Sequence, residues 1–231
     1  MNPEIAGMFD RAEELIRELE DEYTRCKKER DITEKLKNIT HELIEKLRHI
    51  LDHATRVAWE KYIAPKLNKE EKGKARVYFP ITNKTEGFKS ILGRAKMQNL
   101  EKVNKVFYDF LLKQQLFSSS KNKWLIQLAN LAAEGKHVEF VPQRIKKHHL
   151  KTLTTPEGIN IILETAGNAK ISIGEIIIGD PKGERSYDPS KLSARECSWE
   201  SIVIKDYDID VLDFCKGVYA KTRKLVEEMP N

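Results

Sequence analysis

The sequence predicts an α+β fold that is mainly α. It reads as an antiparallel helical bundle with a small antiparallel sheet near the C-terminus and a final helix packing on the bundle. Three observations predict this. Two long N-terminal segments carry apolar residues at steps of three and four, the period of a helix with one buried face. Two later segments, Ile159-Asn160-Ile161-Ile162-Leu163 and Ile171–Ile178, are rich in isoleucine and have Gly167-Asn168 between them, the pattern of short strands joined by a turn. A last stripe of Val211, Phe214, Val218, Leu225 and Met229 returns to helical spacing.

The first helix places Ile5, Phe9, Ala12, Ile16, Leu19, Tyr23 and Cys26 on one seam, with Glu13, Glu14, Glu18 and Glu20 outside it. Arg25, Lys27, Lys28 and Arg30 crowd its end, which suits the helix dipole. A second helix runs from about Thr33 to Ile63, with Leu36, Ile39, Leu43, Leu47, Ile50, Ala54 and Val57 in register and Pro65 closing it. Asp31-Ile32-Thr33 supplies capping residues, so the two helices form a hairpin. Residues 66–98 read as irregular, with Val77-Tyr78-Phe79-Pro80-Ile81 as an extended apolar run packed across the bundle. Helical spacing resumes at Leu100, Val103, Val106, Phe107, Phe110 and Leu111, and again from Trp124 to Ala132 before Gly135. His137–Val141 reads as extended, and the basic run Gln143–Lys151 reads as a solvated connection. Gly179-Asp180-Pro181-Lys182-Gly183 is a turn signal, Trp199–Ile204 a further strand, and Asp206 or Asp208 the cap of the last helix. The natural division is 1–150 as helical bundle and 151–231 as a small β element plus C-terminal helix, continuous with the bundle if that helix packs back.

The 231 residues carry 41 basic and 36 acidic side chains, a net charge of +5 that permits a phosphate-rich partner without demanding one. No run approaches the roughly 18 apolar residues of a membrane helix, so no membrane association is expected. Met1-Asn2-Pro3-Glu4-Ile5 has no basic region followed by an apolar run. Three cysteines, Cys26, Cys197 and Cys215, point to reduced thiols and a cytoplasmic location. No cofactor motif is present: Gly167 and Gly174 match no phosphate loop, and Ser118-Ser119-Ser120 lacks a nucleophile elbow. Cys215 reads as a core residue, and Trp124 and Trp199 as packing anchors.

Chemistry concentrates in Leu47-Arg48-His49-Ile50-Leu51-Asp52-His53. Residues four apart share a helix face, so His41, Glu45, His49 and His53 form a polar stripe, and Arg48 can pair with Asp52 or Glu45. Three readings stay open. In the first, His53 takes the proton of an RNA 2′-hydroxyl, a task that suits imidazole, and the Arg48 fork holds the phosphate. In the second, His49 and His53 are metal ligands with Glu45 or Asp52 as the oxygen ligand of a hydrolase, although Arg48 would put a fixed charge beside the cation. In the third, Arg48–Asp52 is an ordinary intrahelical ion pair and the histidines decorate a solvated face.

Arg48-x-x-x-x-His53, with the polar His49 after the arginine and long helices around it, resembles the signature of HEPN-type proteins. That resemblance covers mainly residues 1–65. It implies a HEPN-like bundle, a metal-independent endoribonuclease without cofactor, RNA as substrate, and a homodimer that shares its site. It implies His53 as base, Arg48 as phosphate anchor, and His49 and Asp52 as orienting groups. Helical patterning that continues to about Ile63 departs from family members whose motif lies near a helix end. Leu51-Asp52-His53, the Tyr78–Ile81 run and Asn130–His137 also resemble a group of bacterial proteins in which a Leu-Asp-His helix is followed by an Asn…Lys-His segment. This second likeness implies no activity, but it implies that Lys136 and His137 contact the same phosphate. The competitor from another class is a partner-binding helical module, regulatory or defence-related, using the first helix's seam.

Overall fold

In the computed structural model the described residues are 2–134, 142–154, 160–166, 176–180, 183–187 and 193–230. Helix α1, Pro3–Glu29, is capped by Asn2, whose side chain accepts from the Glu4 N–H at 2.8 Å. It ends at Arg30, whose φ of 57° lets its N–H reach back to the Cys26 carbonyl. Helix α2, Glu34–Tyr62, starts at Thr33, which accepts from Leu36 N–H at 3.1 Å. The two run antiparallel. Glu4 at the start of α1 meets His53 late in α2, and Glu22 near the end of α1 meets Thr33.

The first-helix seam is consumed inside the chain. Ile5, Phe9, Ala12, Leu19, Tyr23 and Cys26 are all buried in one core with Leu36, Leu43, Leu47, Ile50 and Leu51 of α2, whereas Ile16 is only partly buried and its neighbour Leu15 is fully buried in its stead. Each large apolar side chain buried there contributes roughly 1.5–3 kcal/mol. A partner-binding role for that seam, and a dimer formed through it, would require surface that the fold has already used.

Residues 66–98 are more helical than their sequence suggests. Helix α3, Lys69–Lys74, is started by a capping box in which Asn68 and Glu71 exchange side-chain-to-backbone bonds. Helix α4, Thr85–Arg94, buries only Phe88 and Leu92, too few positions to show a period. Between them residues 75–82 form no helix and pair with no strand. Helices α5, Leu100–Val103, α6, Lys105–Lys113, and α7, Lys123–Glu134, follow.

The sheet has strand order β2-β1-β5-β6, antiparallel throughout. Its strands are β1, Gln143–Thr154; β2, Asn160–Ala166; β5, Ser193–Ile204; and β6, Ile209–Asp210. Strands β3, Ile176–Asp180, and β4, Gly183–Tyr187, form a separate hairpin that closes between Asp180 and Gly183, where the turn signal lies. The basic run expected to be a connection is β1, one of the two inner strands, which also passes through residue 150. Its charges are absorbed across the sheet edge: Arg144 and Lys146 both pair with Asp208. Strand β2 pairs with β1, and residues 167–175 lie outside the described residues. Helix α8, Val211–Glu227, is capped by Asp210, two residues beyond Asp208, with bonds from Leu212 and Asp213 N–H at 2.9 and 3.0 Å.

Tyr23 fastens the sheet to the bundle. Its hydroxyl donates to Asp210 and accepts from the Ile202 N–H at 3.2 Å, so α1, β5 and the cap of α8 meet at one oxygen. Burial, reinforced by Asp210, pushes the phenol well above its ordinary range. Cys215 is buried on α8 as expected, and burial pushes its thiol up to about 12. Among the described residues no helix is long and apolar enough to cross a membrane.

Glu22 closes the other end of the hairpin. It is buried, accepts from Arg25 and from the Thr33 hydroxyl at 2.5 Å, and lies 3.6 Å from Lys35. Pairing with Arg25 holds its carboxyl at about 2 against burial, which pulls the other way. On acidification the unfolded chain therefore takes up this proton first. The stabilisation is complete above the ordinary value of 4.5 and is lost as pH falls toward about 2. A Glu22→Gln variant should lose about 2 kcal/mol at neutral pH, and its deficit relative to wild type should shrink below pH 4.5 in urea melts followed by circular dichroism.

Candidate functional site

The site begins with the problem of residues 75–82. A buried chain segment with no strand partner must pair its backbone groups with side chains. The Phe79 ring is buried, and both polar groups of its backbone are taken by α2. Asp52 accepts from the Phe79 N–H at 2.8 Å, while the Arg48 Nη2 donates to the Phe79 carbonyl at 3.1 Å. Arg48 Nη1 and Asp52 Oδ1 lie 2.6 Å apart, which closes the triangle. The pair is partly buried, with side-chain exposures of 20% and 17%, unlike an ordinary surface i,i+4 pair. Burial pushes the Arg48 guanidinium below its ordinary value and Asp52 pulls it back up.

Gln115, buried on the far side, continues the clamp. Its amide donates to the Pro80 carbonyl at 3.0 Å and its oxygen accepts from the Thr82 N–H at 3.2 Å. The segment is thus held from both flanks, and Tyr78 is turned outward with 55% of its surface exposed.

Between α2 and this segment lies an open cleft of about 490 Å³. Glu45, Arg48, His49, Asp52, His53, Arg56 and Tyr78 line it, with Val77 and Ala132 as its apolar part. The structure therefore brings Arg48, His49, Asp52 and His53 of the sequence motif to one wall of one chain. His49 is exposed and His53 half-buried. His53 Nε2 lies 3.2 Å from the exposed Glu4 carboxylate, while its Nδ1 is buried without a hydrogen-bond partner. Glu45 faces His41 at 3.5 Å. Lys136 and His137 lie outside the described residues.

Two contributors were not visible as such in the sequence. Arg56 follows His53 by three positions and lines the same cleft, held by Glu60 at 2.8 Å and stacked on Trp59 at 4.8 Å. Tyr78 forms the opposite lip. The helical period of α2 carries the first signal, since residues 45, 48, 49, 52, 53 and 56 all share one face. For the metal reading, no group of three or more His, Cys, Asp or Glu side chains is placed to hold an ion among the described residues.

A second cleft, about 420 Å³, opens beside the sheet between Lys27, Arg30, Lys147, His148 and Trp199. Trp199 does not anchor packing as expected: it is 41% exposed and stacks on His148 at 4.9 Å with the rings nearly parallel.

Comparison of the chain with family models, curated proteins and solved structures gives no match.

The clamp makes a residue-resolved prediction. Asp52→Ala removes the acceptor of the Phe79 N–H and leaves Arg48 partly buried without its carboxylate. It should cost about 2 kcal/mol. Hydrogen exchange read by NMR should speed most at the Phe79 amide, whereas exchange in α1 should follow only the global loss.

Proposed function

We propose that the α2 cleft binds the backbone of RNA and cleaves it without a metal ion. One observation carries this reading: an arginine, two histidines and an aspartate, four residues of a single helix, share one open cleft with a second arginine and an exposed tyrosine. The arrangement matches the needs of phosphodiester transfer, which are proton exchange at two oxygens and positive charge beside the phosphorus.

In this reading His53, as the neutral ring with its proton on Nδ1, turns from Glu4 and accepts the proton of the 2′-hydroxyl at Nε2. The freed oxygen attacks phosphorus, and the bond to the 5′-oxygen breaks. His49, on the same face and open to solvent, returns a proton to that leaving oxygen. The products are a 2′,3′-cyclic phosphate and a 5′-hydroxyl, so protons and electrons balance with no co-reactant. Arg48 is fixed in direction by Asp52 and the Phe79 carbonyl, and its charge lies against the phosphate without a search through rotamers. Asp52 is a positioning residue. Arg56 supplies further charge at the exit of the cleft. All the named groups belong to one chain, so the reaction as drawn needs no second copy.

Purified protein is incubated with mixed RNA in excess EDTA beside His53→Ala. Wild type should release cyclic phosphate ends, and the variant should be slower by about 10²–10⁴, the range for loss of a general base. Equal rates, or no cleavage by either protein, would sink the assignment. Activity that returns only with zinc or manganese would move the chemistry to a metal-dependent reading.

A further inference from the structure

Beyond the clamp, on the other side of Tyr78 and Arg48, lies a smaller pocket of about 220 Å³. Arg48, Arg76 and Arg94 line it with Tyr78, Phe79, Ile81, Ile91 and Ala129, and no carboxylate is among these residues. The charges there are not accidental surface decoration. Ten arginines have described side chains. Eight of them, Arg11, Arg17, Arg25, Arg30, Arg48, Arg56, Arg144 and Arg223, have an acidic partner within 4.0 Å. The two without such a partner are Arg76 and Arg94, and both face this one pocket.

The backbone holds them together. Arg76 N–H donates to the Arg94 carbonyl at 3.0 Å, which ties the start of the clamped segment to the last turn of α4. The two residues are exposed, so their guanidinium groups keep free donor edges. Unneutralised arginines brought side by side on a fixed backbone repel one another, and an anion that accepts several N–H bonds relieves that repulsion. The pocket shares Arg48 and Tyr78 with the larger cleft, so the two sites are neighbours along one groove.

We infer that Arg76 and Arg94 form a second phosphate subsite, which takes a phosphate of the RNA strand adjacent to the one held in the α2 cleft. The inference rests on the reading of that cleft as an RNA site, and it narrows the substrate class to a strand with at least two phosphates. Tyr78 lies between the subsites with its ring free, a surface on which the intervening base can stack.

The test uses the whole chain and a fluorescein-labelled, 2′-O-methyl single-stranded oligonucleotide of about ten nucleotides, long enough to span a groove of this kind and resistant to cleavage. Anisotropy is recorded for wild type, Arg76→Ala/Arg94→Ala, and Arg17→Ala/Arg223→Ala, a control with the same charge change. The pocket variant should bind roughly tenfold or more weakly. Its plot of log affinity against log salt should flatten by about 0.7, the value of one single-strand phosphate. The control should stay within twofold of wild type, a shift of about 0.4 kcal/mol at most, and thermal melts confirm that all three are folded. Wild-type affinity in the pocket variant, an equal loss in the control, or no binding by wild type would each overturn the subsite. In a parallel arm inorganic phosphate is titrated alone. Saturable binding of it without binding of the oligonucleotide would identify a small-anion site and overturn the strand assignment. Binding that depends on Arg76 and Arg94 in a protein that cleaves no RNA would keep the subsite and discard the nuclease.

Discussion

The cleft exists because a buried peptide group cannot go unpaired. Residues 75–82 cross the bundle with the Phe79 ring in the core and no neighbouring strand to take its N–H and carbonyl. Asp52 and Arg48, one turn apart on α2, supply an acceptor and a donor in the order that Phe79 presents them. An ion pair of 2.6 Å joins the two side chains to each other. One wall of the cleft is thereby fixed to the helix that forms the other, and Tyr78 is fixed outward because its neighbour is fixed inward. The arginine and aspartate that read as chemistry are thus also architecture. A reaction there inherits a cation already oriented by the fold.

That double use explains what was legible in the sequence and what was not. Helices α1 and α2 declare themselves because each repeats its apolar spacing over seven or more turns, and the face shared by Arg48, His49, Asp52 and His53 follows from that period. The opposite wall has no such signature. Its hydrogen bonds join residues 27 to 35 positions apart, through side chains of Asp52, Arg48 and Gln115 whose partners nothing local announces. Arg76 and Arg94 are two isolated arginines in the sequence, and only a backbone bond between distant segments makes them a pair.

Strand β1 is hidden in the sequence for an electrostatic reason. A strand with Arg144, Lys146, Lys147 and His148 in five positions looks like a solvated connection. In the fold Asp208 neutralises two of those charges, and the ring of His148 lies flat on Trp199, so this inner strand carries basic residues without accumulating repulsion. Short helices α3 and α4 leave no mark in the sequence because helices of six and ten residues bury too little to show a period.

Tyr23 has a consequence for the order in which the molecule comes into being. Its hydroxyl is shared with Ile202 and with Asp210, which follows it by 187 positions. At the pace of synthesis, about 5–20 residues per second, Tyr23 waits roughly ten to forty seconds for the cap of α8 to be made. During that interval the apolar seam that α8 will cover is bare, with Phe9 still lacking the edge-to-face contact of Tyr219. Until α8 arrives, the hairpin holds against water a face that the finished fold keeps dry.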